Sequence, residues 1–94
     1  MELAEVVARA KEQYLRRNKT VRLLMRNLDL SQSKVAEVLG VSRQAVHQKV
    51  VGTSRFEPWE LDGVAAAMGV PREVVDMEPD EALRWALDHN LITS

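Results

Sequence analysis

The chain has 94 residues, 46% of them hydrophobic and none of them cysteine, which suits one small domain with a modest core and leaves out a disulfide framework or a thiolate metal site. No apolar run approaches the length of a membrane span and no signal-peptide core opens the chain, so a soluble protein of a reducing cytoplasm is expected. The formal net charge of -1 hides an asymmetry: residues 1–56 carry eleven Lys or Arg against five Asp or Glu, a net +6, and residues 57–94 carry two against nine, a net -7.

Leu3, Val6, Val7, Ala10 and Tyr14 recur at helical spacing, which predicts an amphipathic helix from about Glu2 to Arg17. The same stripe continues through Val21, Leu24 and Leu28 in a heptad-like phase. Asn18 and Thr20 are weak helix formers, however, and Thr20 can cap a new start, so two helices, or one kinked near Asn18, are expected over this stretch. The leading helix either buries Leu3, Val7 and Tyr14 on its own domain or offers them to a second subunit.

The centre of the chain is residues 30–52, LSQSKVAEVLGVSRQAVHQKVVG. Ser31 is placed to cap a helix beginning at Gln32, with Val35, Val38 and Leu39 on its apolar face and Ala36 beside it. Gly40 ends that helix, because glycine enters the left-handed region without strain. Ser42 then caps a second helix from Arg43 to about Val51, with Val46 and Val50 inward and Gly52 closing it. Two helices joined by so short a turn must cross steeply. Ala36 supplies the small residue that the crossing needs, and Val41 and Val46 fill the space behind it, which is the logic of a helix-turn-helix. Arg43, Gln44, Ala45, His47, Gln48 and Lys49 remain outside, with no acidic residue among them.

Beyond the loop Thr53-Ser54-Arg55-Phe56, Pro58 opens a helix to Met68 with Leu61, Val64, Ala65 and Met68 inward, weakened by Gly63 and ended by Gly69. Phe56 and Trp59 are expected to be packing residues. A short fifth helix runs from Val70-Pro71 to about Val75 and closes the core with Val74. After a turn at residues 76–78, Pro79 starts a last helix to about His89. It is apolar on more than one side through Ala82, Leu83, Trp85, Ala86 and Leu87, with Leu91 and Ile92 beyond, and this makes it the favoured dimer element.

The combination of Gln32, Ala36, Gly40-Val41-Ser42, Val46, Gly52 and Met68-Gly69-Val70-Pro71 resembles the helix-turn-helix domain of the Cro and CI phage repressors and the wider Xre-type regulators, over roughly residues 20–75. Where that family often has an aromatic or leucine followed by an acidic residue late in the recognition helix, this chain has Lys49-Val50-Val51. The resemblance implies an all-α, compact, five- to six-helix lambda-repressor-like domain spanning 1–94, with an extra N-terminal helix (2–17) and a C-terminal helix (79–89). It implies a sequence-specific regulator of transcription in a bacterial host cell, a phage Cro or immunity repressor, binding a palindromic double-stranded DNA operator as a homodimer, with the helix 43–51 in the major groove. A dimer formed only on DNA is compatible with the same residues.

On that alignment Arg43, Gln44, Ala45 and Gln48 are the candidates for base contacts. Arginine pairs guanine O6 and N7, glutamine pairs adenine N6 and N7, and an alanine methyl meets thymine. Gln32, Ser42, His47, Lys49, Thr53 and Arg55 are the candidates for phosphate contacts, Gln32 also standing at a helix N-terminus. No cofactor, metal, membrane or small-molecule ligand is expected: His47 and His89 are the only histidines, and no spacing ties a nucleophile to a base. An enzyme is therefore not expected. The alternative reading is an Xre-type antitoxin that binds a protein toxin through its acidic C-terminal half. A third reading is a helix-turn-helix that no longer binds DNA and serves only in oligomerisation.

Overall fold

The computed structural model of the chain describes residues 2–92. Five α-helices follow one another: α1 Leu3–Asn27, α2 Gln32–Leu39, α3 Arg43–Val50, α4 Pro58–Met68 and α5 Pro79–Asp88, with a 3-10 turn Arg72–Asp76 between the last two. No strand occurs among the described residues.

The expected break near Asn18 does not occur, because α1 runs unbroken for 25 residues. At about 1.5 Å per residue it is some 37 Å long, close to the 43 Å longest dimension of the molecule. Asn18 and Thr20 are weak helix formers when their polar groups compete for their own backbone. Here both side chains are buried and bonded elsewhere: Asn18 Nδ2 donates to the Ser54 carbonyl at 2.9 Å and Thr20 Oγ1 to the Met77 carbonyl at 2.8 Å. Neither is left to cap a new start. Arg17 and Arg16 add ion pairs to Asp76 and Glu78 at 2.7 and 3.1 Å, so the middle of α1 holds the segment that leads into α5.

The caps read from the sequence form as expected. Ser31 Oγ accepts the Lys34 amide and Ser42 Oγ accepts the Ala45 amide, each at 3.1 Å, and each cap is worth about 1 kcal/mol. Gly40 ends α2 at φ 69°, and its amide turns back onto Ala36 and Glu37 carbonyls. Pro58 opens α4, Gly69 closes it, and α5 starts at Pro79.

One hydrophobic cluster joins all the elements. Val21, Leu24 and Met25 of α1 meet Val35, Ala36 and Leu39 of α2, Val46 and Val50 of α3, Leu61, Val64 and Ala65 of α4, Val74 and Val75 of the 3-10 turn, and Ala82 and Ala86 of α5. Gly63 has a packing reason: a Cβ there would come within 2.6 Å of Leu39 Cδ2, so α4 lies against α2 at a distance only glycine fits without a shift.

Two packing expectations need correction, and of the two readings of the leading helix the one that buries it on its own domain fails. Val38 is exposed, because only Val35, Ala36 and Leu39 of α2 face the cluster. Phe56 is buried as expected, but Trp59 is 56% exposed: α4 turns Leu61, Val64, Ala65 and Met68 inward, and Trp59 falls on the outer side of its first turn. Leu3 and Val7 are not buried on their own domain. They are 80% and 60% exposed, because the first turns of α1 extend past the other helices, and only from Tyr14 onward does its apolar face find cover. The short fifth helix forms as expected, as a 3-10 turn over Arg72–Asp76 in which Val74 and also Val75 are buried.

Candidate nucleic-acid interface

Helix α3 presents two inward valines, Val46 and Val50, both buried. The 3.6-residue period sets Gln44 and Gln48 on the opposite side and Arg43 and His47 on one flank, and all four are exposed. Ala45 and Lys49 occupy the other flank and are only partly accessible. His47 therefore stands beside Arg43, Gln44 and Gln48 on the exposed side of α3, next to the candidates for base contacts although it is itself a candidate for phosphate. Its Nδ1 lies 3.3 Å from Gln32 Oε1, a contact that ties the exposed row of α3 to the first residue of α2.

Gln32 is the hinge of a longer surface. Together with Arg43, Gln44 and His47 it lines one shallow groove, and with Arg22, Arg26, Ser31, Leu30, Met25 and Val50 it lines the next. Arg22 and Arg26 line a third with Lys19 and Leu23. No carboxylate borders any of the three. Lys19, Arg22, Arg26 and Arg43 form no ion pair with another described residue, so their charges are available to an anion. Lys19, Arg22 and Arg26 are not among the candidates that the sequence suggested. Their i, i+3 and i+7 spacing on one side of α1 is the signal that could have found them.

The remaining candidates are dispersed. The Ser42 hydroxyl already accepts the Ala45 amide, and Thr53 Oγ1 donates to the Gln48 carbonyl at 2.9 Å, so each serves an end of α3 first. Arg55 lines a different groove, with Ala10, Gln13, Tyr14 and Glu57. Lys49 is turned inward. Its Nζ sits 2.6 Å from Glu60 Oε1, with side chains 13% and 2% exposed, and this carboxylate also accepts the Glu57 amide at 2.7 Å. Spacing could not show this, because the partner lies in the next helix. With its charge matched by a buried carboxylate, Lys49 is a poor phosphate ligand.

No group of three or more His, Asp or Glu among the described residues is arranged to hold a metal ion, and no helix among them is long and apolar enough to cross a membrane. Comparison with protein-family models, curated proteins and solved structures finds no match to this chain.

Proposed function

We propose that the chain is a lambda-repressor-like helix-turn-helix protein that binds double-stranded DNA in a sequence-specific way and regulates transcription, in the manner of the Cro and CI repressors it resembles. The observation that carries this reading is the continuous acid-free surface from Lys19, Arg22 and Arg26 across Gln32 to Arg43, Gln44 and His47. Phosphate neutralisation dominates the affinity of proteins for DNA, and a helix with exposed Arg and Gln can read base edges in the major groove. In this reading α2 and α3 are the helix-turn-helix and α3 is the recognition helix. Arg43, Gln44, His47 and Gln48 face the bases, Ala45 touches them from the flank, and Gln32, Ser42, Arg22 and Arg26 line the phosphates. The protein acts as a homodimer on a palindromic operator with half-sites about 34 Å apart, its subunits joined through the exposed apolar side chains of α1 or α5.

The test is selection of bound duplexes from a random library, repeated at two salt concentrations with the wild type and with the double variant Arg43→Ala, Gln44→Ala. A palindromic motif whose binding weakens steeply with salt, and whose selectivity the variant loses by about 1 to 3 kcal/mol per position, is the expected result. Absence of any motif together with weak binding at low salt would overturn the proposal and direct attention to a protein partner of the acidic C-terminal half.

A further inference from the structure

Half of one ion pair sits on the helix assigned above to base reading. Lys49 belongs to α3, on the flank between its buried valines and its exposed row, and its ammonium points away from that row to the start of α4. There Glu60 is one of the most deeply buried polar side chains in the protein, and its Oε1 accepts both Lys49 Nζ at 2.6 Å and the Glu57 amide at 2.7 Å. Lys49 Nζ also lies 3.4 Å from the Arg55 carbonyl and 5.9 Å from the centre of the Phe56 ring. A lysine held in this way cannot turn outward without leaving a carboxylate buried and uncompensated.

We infer that Lys49 is a positioning residue: its pair with Glu60 sets the angle of α3 against α4 and withholds one cation from the DNA backbone. This inference rests on the DNA-binding reading. Val46 and Val50 seat α3 on α1 and α2 along one narrow stripe. The Lys49–Glu60 pair supplies a second line of attachment, off that stripe, and so holds Arg43, Gln44 and Gln48 to one direction. Bidentate base pairing needs such a fixed direction, whereas phosphate attraction does not. The pair therefore governs discrimination between sequences rather than the attraction to DNA as such.

Two variants of the full chain separate this role from a phosphate contact. In Glu60→Gln the amide oxygen still accepts the Glu57 amide, but Lys49 loses its anion and is free to swing to the surface. Binding to the selected operator and to a scrambled duplex is measured over a salt series. The logarithmic salt slope is expected to steepen by about 0.9, one newly neutralised phosphate, while the preference for operator over scrambled duplex falls about tenfold. The double variant Lys49→Met, Glu60→Gln removes both charges and keeps the bulk of each side chain; its salt slope is expected to equal that of the wild type while its preference is again reduced. A double variant whose slope is shallower by about 0.9 would show that Lys49 touches phosphate and overturn the inference. So would folded variants, judged by wild-type helix content, that keep both slope and preference and lose only melting temperature. A wild-type protein that retains no duplex at low salt overturns the DNA-binding reading and this inference with it, whereas the preceding two outcomes overturn the inference alone.

Discussion

Asp76 shows how a single side chain can shape the pH response of the whole chain. One of its oxygens receives Arg17 Nε at 2.7 Å and the other Arg72 Nη1 at 2.9 Å. Partial burial pushes its carboxyl up, but the hydrogen bond and charge of Arg17, with those of Arg72, outweigh burial and hold it below 3.8. A carboxyl whose folded value lies below its unfolded value stabilises fully above the unfolded value and loses that contribution as pH falls through the folded one. Asp76→Asn is therefore expected to lower the urea midpoint at neutral pH, and the gap to wild type should close as pH drops below 3.8. A gap that stays constant down to strongly acidic pH would mean that the contribution is not ionic. Gly40 offers a second test at this scale. It has φ 69° and nothing within 4 Å of an added Cβ, so Gly40→Ala isolates the backbone cost, expected as about 1 kcal/mol of lost unfolding free energy in chemical denaturation.

The ends of the helices were legible in the sequence wherever their cause is local. Ser31, Gly40, Ser42, Pro58, Gly69 and Pro79 each stand at the terminus expected of them, because a cap is made between residues three or four apart. The path of α1 and the direction of Lys49 were not legible. Asn18 finds its partner 36 residues away and Thr20 finds its own 57 residues away, and no local rule weighs such partners against helix propensity. The candidate site divides in the same way: the exposed row of α3 follows from periodicity, whereas its junction with Arg22 and Arg26 needs α1 brought beside Gln32. Helix α1 carries its own prediction. Its first turns lack tertiary cover, and a segment of that length is marginal as an isolated helix. Amide hydrogens of residues 5–10 should exchange far faster than those of residues 20–25, as read by mass spectrometry or NMR. The double variant Leu3→Glu, Val7→Glu should leave the melting temperature of the dilute protein unchanged. If α1 joins the subunits, the same variant lowers the sedimentation coefficient at high concentration; a dimer-sized value unchanged by the variant assigns the contact to α5, and a monomer-sized value for the wild type leaves pairing to the DNA-bound state.

At the scale of the molecule, the charge asymmetry of the sequence becomes a division of surfaces. Lys19, Arg22 and Arg26 of α1 and Arg43 of α3 keep their charges free of ion pairs among the described residues, whereas Arg17 and Arg72 pair with Asp76, Arg72 also with Asp62, and Arg16 with Glu78. A net charge near zero is therefore no bar to a strong local field. Replacing Arg22 and Arg26 together by alanine is expected to weaken binding to all duplexes alike and to make the logarithmic salt slope shallower by about 0.9 for each phosphate no longer neutralised. Weakening confined to one sequence would instead assign these arginines to base reading.

The clasp between the middle of α1 and the segment before α5 also governs the order in which the protein can be made. Arg16, Arg17 and Thr20 leave the ribosome well before their partners Glu78, Asp76 and Met77, which lie 62, 59 and 57 residues downstream. Helix α2 packs on both α3 and α4, its near neighbours in the chain, and the three can associate while synthesis continues. Helix α1 is thus partly covered by α3 and α4 but secured along its middle only once the segment before α5 has emerged, and until then the part of its stripe that faces α5 stays uncovered.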